Sequence, residues 1–290
     1  MTPQQWEQNA QHFDFRGHHI FYRDDGTGDV IIAIHGFPTS SWDWCRIWPG
    51  LTARHRVLAP DLLGFGLSAK PRGHAYSLME QADLVEALAA HRGITHAHLL
   101  AHDYGDSVAQ ELMARAADAR LGFTLHSVCL LNGGIVPAAH RPVLMQRLLA
   151  GPFGALLGRA MNRRTLEKNF RRIFGPATPP STDELDGYWY FIQHNHGPRV
   201  MHRLIRYMDE RRANAARWTS VLRTPPAPLR LVFGARDPIS GQHMIDAFRA
   251  LNPAAPVTVL SDIGHYPQSE APEIVLREAL MHCESASTRG

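Results

Sequence analysis

Eight short runs rich in β-branched and other apolar residues alternate with stretches of helical periodicity, and this alternation restricts the fold more than any other feature of the chain. A strand, a crossover helix and a second strand make a parallel unit; repeated, such units build a sheet that helices cover on its faces. The runs are Phe13 to Phe15, Ile20 to Arg23, Val30 to Ile34, Val57 to Ala59, Ala97 to Leu100, Ser127 to Leu131, Leu229 to Phe233 and Val257 to Leu260. Leu78 to His91, Ser107 to Ala117, Gln242 to Leu251 and Pro272 to Met281 carry the helical pattern. The first two runs, joined near Arg16-Gly17, predict an antiparallel hairpin leading into the sheet. The expected class is therefore α/β, with a mostly parallel eight-stranded sheet flanked by helices.

From about 135 to 222 the strand signal stops, while helical periodicity continues and aromatics and arginines accumulate. Pro137 and Pro142 stand at one edge and Pro225, Pro226 and Pro228 at the other, as expected where a chain leaves and rejoins a sheet. The chain is thus expected to divide into a first core part, 1–134, a helical cap, 135–222, and a second core part, 223–290. Inside the insertion, Arg159, Arg163, Arg164, Lys168, Arg171 and Arg172 interleave with Met161, Leu166, Phe170 and Phe174, which predicts an amphipathic helix. A solvated helix face is the ordinary reading of such a pattern; an anionic membrane surface or an acidic partner is the other.

At 290 residues and 44% hydrophobic, the chain buries a full core without staples. Lys and Arg outnumber Asp and Glu by only three and, apart from the run from Arg159 to Arg172, are spread along the chain, which gives little support to nucleic-acid binding. Cys45, Cys129 and Cys283 are too few for a disulfide framework and fit a reducing, cytoplasmic setting. Met1 to Ala10 lacks a basic-then-apolar leader, and no apolar stretch has bilayer-spanning length, so no transmembrane segment is expected. The histidines at 91, 96, 98, 102, 194 and 196 do not form the helical i, i+4 pair with a nearby glutamate that a zinc hydrolase uses. Neither a metal nor a cofactor is called for.

Leu99-Leu100-Ala101-His102-Asp103-Tyr104-Gly105-Asp106-Ser107 is an apolar strand turning sharply into a helix, the layout of a nucleophile elbow. Ala101 and Gly105 are the small flanks, and Asp103 stands where the pattern usually has serine; it is expected to be exposed above the sheet. The simpler reading of Asp103 is a helix N-cap. Asp106 and Ser107 fall past the turn and are read as helix-start charge and capping. His35-Gly36-Phe37-Pro38 follows the third run, and the Phe37 and Tyr104 amides would form an oxyanion hole. Asp237 follows the Leu229 run, and His265 follows the last. Nucleophile, acid and histidine stand in hydrolase order, each just past a strand's carboxyl end.

Over nearly its whole length the chain resembles the α/β-hydrolase superfamily, and within it the epoxide hydrolase and haloalkane dehalogenase branch, whose nucleophile is aspartate. The strings His102-Asp103-Tyr104-Gly105-Asp106, Ser127 through Asn132-Gly133-Gly134-Ile135, and Gly264-His265-Tyr266-Pro267 are similar to the mesoderm-specific transcript protein subfamily. The resemblance implies an alkyl-enzyme ester on Asp103, cleaved by water that His265 activates with Asp237 behind it. His35 to Pro38 matches the His-Gly-x-Pro form typical of epoxide hydrolases. Dehalogenases commonly carry tryptophan after the nucleophile, where this chain has Tyr104, so epoxide opening is the first expectation and dehalogenation the alternative. An epoxide's alkoxide needs an acid, for which Tyr207, then Tyr188 and Tyr190, are candidates; the family's late Trp-Tyr pair is here Trp218-Thr219. The expected partners are a small, largely apolar organic substrate and water, with a homodimer left open. A non-catalytic binding protein on the same scaffold is the reading from another class, and a dinucleotide reductase fails because Pro71 and Gly73 interrupt the helix its Gly64, Gly66 pair would need.

Overall fold

Burial of the apolar runs organises the whole chain, of which the computed structural model describes residues 1–287. The strands are β1 (Gln11–Phe15), β2 (His18–Asp25), β3 (Val30–Ile34), β4 (Arg56–Pro60), β5 (His96–His102), β6 (Thr124–Leu131), β7 (Leu229–Gly234) and β8 (Val257–Leu260). They form one sheet in the order β1-β2-β4-β3-β5-β6-β7-β8. β2 pairs antiparallel with β1 and β4, and the other pairings are parallel. Every expected run is a strand, and most extend beyond the apolar stretch. At β6, for example, Thr124 and Leu125 continue the ladder opposite His96 and Ala97 past a register shift at Ala97/His98, where apolar content no longer marks the strand. The β1–β2 turn places Arg16 and Gly17 at φ of 54° and 79°, the left-handed pair that a tight hairpin needs.

The helices are α1 (Pro3–Gln8), α2 (Trp48–Thr52), α3 (Leu78–His91), α4 (Tyr104–Ala117), α5 (Leu144–Ala150), α6 (Gly154–Ala160), α7 (Arg163–Ile173), α8 (Thr182–Gln193), α9 (Met201–Leu204), α10 (Tyr207–Ala213), α11 (Ala215–Arg223), α12 (Gln242–Leu251), α13 (Pro267–Glu270) and α14 (Pro272–Ser287). α3, α4 and α11 pack in series along the sheet, and α14 packs on β6, β7 and α2. The central strands read as continuous apolar runs because both faces are covered; Ile32, Ala33 and Ile34 of β3 are fully buried.

Between β6 and β7 the described residues contain only helices, α5 to α11, and short 3-10 turns. The basic run is not one helix beginning at Arg159. Arg159 lies in α6; Met161 is extended, and the Asn162 side chain accepts from the Thr165 amide at 3.1 Å to start α7 afresh. A side-chain cap outcompetes helical continuation there, although the apolar spacing runs through the break.

Candidate active site

β5 ends at His102 and α4 begins at Tyr104, so Asp103 alone makes the turn, at φ 48° and ψ −101°. A non-glycine residue held in that region costs roughly 1–3 kcal/mol, supplied by the packing around it. The packing leaves no slack. A Cβ on Gly105 would lie 2.2 Å from the Ile34 carbonyl oxygen, and one on Gly36 would lie 2.7 Å from His102 Nδ1 and 3.0 Å from Asp103 Cβ. These two glycines let β3, its following loop and the elbow close on one another. Asp103 holds the N-cap position of α4, yet its side chain makes no capping hydrogen bond, so capping does not account for it.

The carboxylate points into the loop after β3. The Phe37 amide donates to Oδ2 at 3.1 Å, while Oδ1 accepts no hydrogen bond. Tyr104 is the first residue of α4, so its amide is free of an intrahelical partner. Asp103 is not exposed as expected: only 1% of its surface is accessible, because the helices inserted between β6 and β7 cover the elbow. Asp106 is likewise no surface charge at a helix start. It is fully buried, and burial first and Asp103 second push its carboxyl well above the carboxylate range. Ser107 does not cap α4; its hydroxyl accepts from Arg211 Nε.

Across the sheet, His265 Nδ1 and Asp237 Oδ2 are 2.7 Å apart. Asp237 also accepts from the Ile239 amide at 2.8 Å, the Ser240 hydroxyl at 2.6 Å, the Ser240 amide at 3.1 Å and Asn132 Nδ2 at 3.1 Å. Burial works to raise Asp237, but His265 and these donors hold it below the usual carboxylate value. Burial works to lower His265, and Asp237, its hydrogen bond and then Asp103 outweigh that and raise the imidazole to about 9. The imidazole thus sits in the field of Asp237, Asp103 and, more weakly, Glu270. His35 is fully buried; its Nε2 accepts from the Leu62 amide at 3.0 Å, which fixes the loop carrying Phe37 and Pro38.

The three tyrosines separate. Tyr207 is buried against the elbow, its ring 5.0 Å from Tyr104 and 6.0 Å from Phe37, and its hydroxyl makes no hydrogen bond of good geometry, with the Arg211 guanidinium beside it. The Tyr188 hydroxyl is 2.8 Å from Ser269 Oγ within an aromatic cluster, and Tyr190 donates to Glu7 of the N-terminal segment. Of the three, Tyr207 is the one brought to Asp103, next to the Arg211 guanidinium. A cavity of about 100 Å³ has a lining that extends from exposed Leu144 and Arg172, past Phe170 and Ile239, to buried Phe37 and His265. Among the described residues no group of three His, Cys, Asp or Glu side chains is placed to hold a metal ion.

Comparison with known proteins places the fold in a family. The profile described as "Alpha/beta hydrolase family" matches residues 31–278. The chain belongs to the α/β-hydrolase family. It is 43% identical over 279 residues to the mesoderm-specific transcript homolog protein of Homo sapiens, covering 92% of this chain and 83% of that one. It is 42% identical over 265 residues to the putative hydrolase LipZ of Mycobacterium tuberculosis, covering 90% and 91%. An α/β hydrolase fold protein from Burkholderia ambifaria superposes with a TM-score of 0.78 at 27% identity, over 94% and 97% of the two chains.

This hydrolase also places beside the elbow a residue that the sequence pattern did not single out. Arg211 of α10 is 2% exposed; its Nη2 donates to the Asp103 carbonyl at 2.8 Å and lies 3.9 Å from Asp103 Oδ1, and its Nη1 is unpartnered. A signal existed: Arg211 is four residues beyond Tyr207, so the helix face that brings one to the elbow brings the other. Asn132, which no strand or turn rule marks, ties Asp237 to β7: it donates to Asp237 and both donates to and accepts from Gly234, at 3.0 and 2.7 Å. His102 donates from Nε2 to the His265 carbonyl at 2.8 Å, so the elbow and the histidine loop are joined directly.

Proposed function

We propose that this hydrolase attacks a saturated carbon of a small, largely apolar substrate with the Asp103 carboxylate, and that the substrate is an epoxide opened by water to a diol. The observation that carries the reading is a carboxylate at the elbow with one oxygen held by the Phe37 amide and the other unpartnered, beside a His265–Asp237 pair. Attack by a carboxylate on an ester or amide would give a mixed anhydride, whereas displacement at saturated carbon gives a stable ester. The free oxygen forms the new C–O bond, the epoxide C–O bond breaks, and the alkoxide takes a proton from Tyr207. An alkoxide is more basic than a phenolate, so the transfer is downhill even though burial and Asp103 raise Tyr207 above the ordinary phenol value.

Water then attacks the ester carbonyl and gives its proton to His265, whose charge Asp237 balances. The Phe37 and Tyr104 amides hold the resulting oxyanion, an effect of about 3 to 4 kcal/mol per donor in other hydrolases. On collapse the acyl C–O bond breaks, the departing alkoxide takes the proton held by His265, and the proton of the regenerated carboxyl group returns to the Tyr207 phenolate; the diol leaves with one original oxygen of Asp103, and a solvent oxygen stays in its place. The unpartnered Nη1 of Arg211 favours a second reading, displacement of halide, because a fixed cationic N–H suits a leaving anion. The complete acid–histidine pair argues against a non-catalytic scaffold.

Single turnover in heavy-oxygen water, with panels of epoxides and short haloalkanes, tests the proposal. Label in Asp103 and a stalled alkyl adduct in His265→Gln are expected. Full activity in a folded Asp103→Ala variant would sink it. Turnover of haloalkanes alone would replace the first reading with the second.

A further inference from the structure

Among the described residues the exposed large hydrophobic side chains are Met1, Leu144, Leu148, Phe153, Leu156 and Met281, and four of these six belong to α5, α6 and the turn between them. Leu144 and Leu148 are one helical turn apart on α5, and Phe153 and Leu156, accessible over 72% and 65% of their surfaces, continue the patch onto α6. The hairpin is tightly built, because a Cβ on Gly154 would lie 1.9 Å from the Leu149 carbonyl oxygen. The exposed side chains are therefore held on a firm support.

The same stretch carries an unusual charge. Residues 141–172 contain eight Lys or Arg and one acid, Glu167, whereas the rest of the chain contains 22 and 26. A weakly basic protein thus consists of a segment of net charge +7 on a body of net charge −4. Arg163 and Arg171 pair with Glu167. Arg147, Arg159, Arg164, Lys168 and Arg172 are exposed, and none has an acidic partner among the described residues. Leu144 and Leu148 line one groove with Arg164, Lys168 and Arg172, and exposed apolar side chains beside unpaired cations form the pattern of an interfacial anchor.

We infer that the face formed by α5, α6 and α7 docks the protein on an anionic lipid surface, with the mouth of the His265 cavity turned toward the acyl chains. Leu144 belongs both to the exposed patch and to the cavity lining, so a leaflet covering the patch also covers the mouth. A folded partner seated there would block the cavity; a leaflet is itself a reservoir of apolar solute. A second copy of this chain would set two strongly positive faces against each other. Docking does not depend on the chemistry proposed for Asp103. Only the corollary rests on that reading: the substrate is one that partitions into membranes.

The test is co-sedimentation of the full chain with phosphatidylcholine vesicles with and without phosphatidylglycerol. Pelleting with the anionic vesicles, little with the neutral ones, and release by salt are expected. Phe153→Ser with Leu156→Ser should reduce partitioning by about tenfold or more, and Arg164→Gln or Lys168→Gln by about fivefold each. These variants lie outside the proposed catalytic set, so their thermal unfolding and any turnover of a water-soluble substrate should match the parent. No binding to anionic vesicles, or equal binding by the Phe153, Leu156 variant, would overturn the inference. So would a lipid-free dimer that the same variant dissolves, or capture by polyglutamate in preference to vesicles. Each readout is independent of turnover, so failure here and failure of the Asp103 reaction are separate results.

Discussion

His265 in the resting protein carries the wrong charge for a general base, and the proposed reaction itself corrects this. With its imidazole raised to about 9 by Asp237 and Asp103, it is protonated at neutral pH. Alkylation turns Asp103 into a neutral ester and removes one of the three carboxylates, Asp237, Asp103 and Glu270, that favour the imidazolium, so the imidazolium becomes more acidic when water must be activated. The sign is fixed: removing a negative charge lowers the value. Nitrogen NMR titration of His265 should therefore give a lower value in Asp103→Asn than in the parent, and an unchanged value would mean that Asp103 exerts no field on the ring. Arg211 allows a second test at this scale. Its guanidinium satisfies the Asp103 carbonyl and Ser107, and Arg211→Leu would leave both buried and unpaired. Urea unfolding should show a loss of about 3 kcal/mol. Arg211→Lys should recover part of it, since a point charge replaces a planar fork.

The elbow is decided by how closely two elements approach. Gly105 is fixed by the Ile34 carbonyl, which belongs to a ladder that also pairs with His98 through Ala101 and cannot retreat alone. Gly105→Ala should cost about 3 kcal/mol or more in denaturant unfolding and displace Asp103. The same substitution at Gly93, where no neighbour lies within 4 Å, meets only the strain of its φ of 66° and should cost about 1 kcal/mol. Strands and elbow were legible because their requirements are local: buried parallel strands must be apolar, and a one-residue turn must have small flanks. The breaks within the insertion were less so. Asn162 ends an apparently continuous amphipathic pattern through one side-chain hydrogen bond, and Asn162→Ala should destabilise the protein by about 1 kcal/mol.

At the scale of the molecule, what the sequence concealed is burial imposed from a distance. Asp103 reads as an exposed turn residue until α10 covers it, and Arg211, 108 positions later, reads as one more surface arginine until it meets the Asp103 carbonyl. Eighteen histidines were equally opaque, since composition cannot say which are buried. Several are, and burial holds them neutral: it lowers His98 to about 4 and His140 to about 3, and it also lowers His35, His55 and His282. The unfolded chain binds protons at these residues near pH 6.5. Their contribution to stability is therefore complete above that pH and is lost as pH falls toward the folded-state values. His265 has the opposite sign, because its raised value contributes below 6.5 and is lost as pH rises through about 9. Stability should accordingly peak near neutrality and fall on both sides. On the acid side each fully protected histidine adds a slope of about 1.4 kcal/mol per pH unit. His98 is 1% exposed and 2.8 Å from Ser127 Oγ, so His98→Gln isolates one such slope while keeping a polar partner for that hydroxyl. Denaturant unfolding of parent and variant between pH 4 and 6.5 should show the variant's dependence shallower by about that amount, and parallel curves would mean that His98 is protonated alike in the folded and unfolded chain.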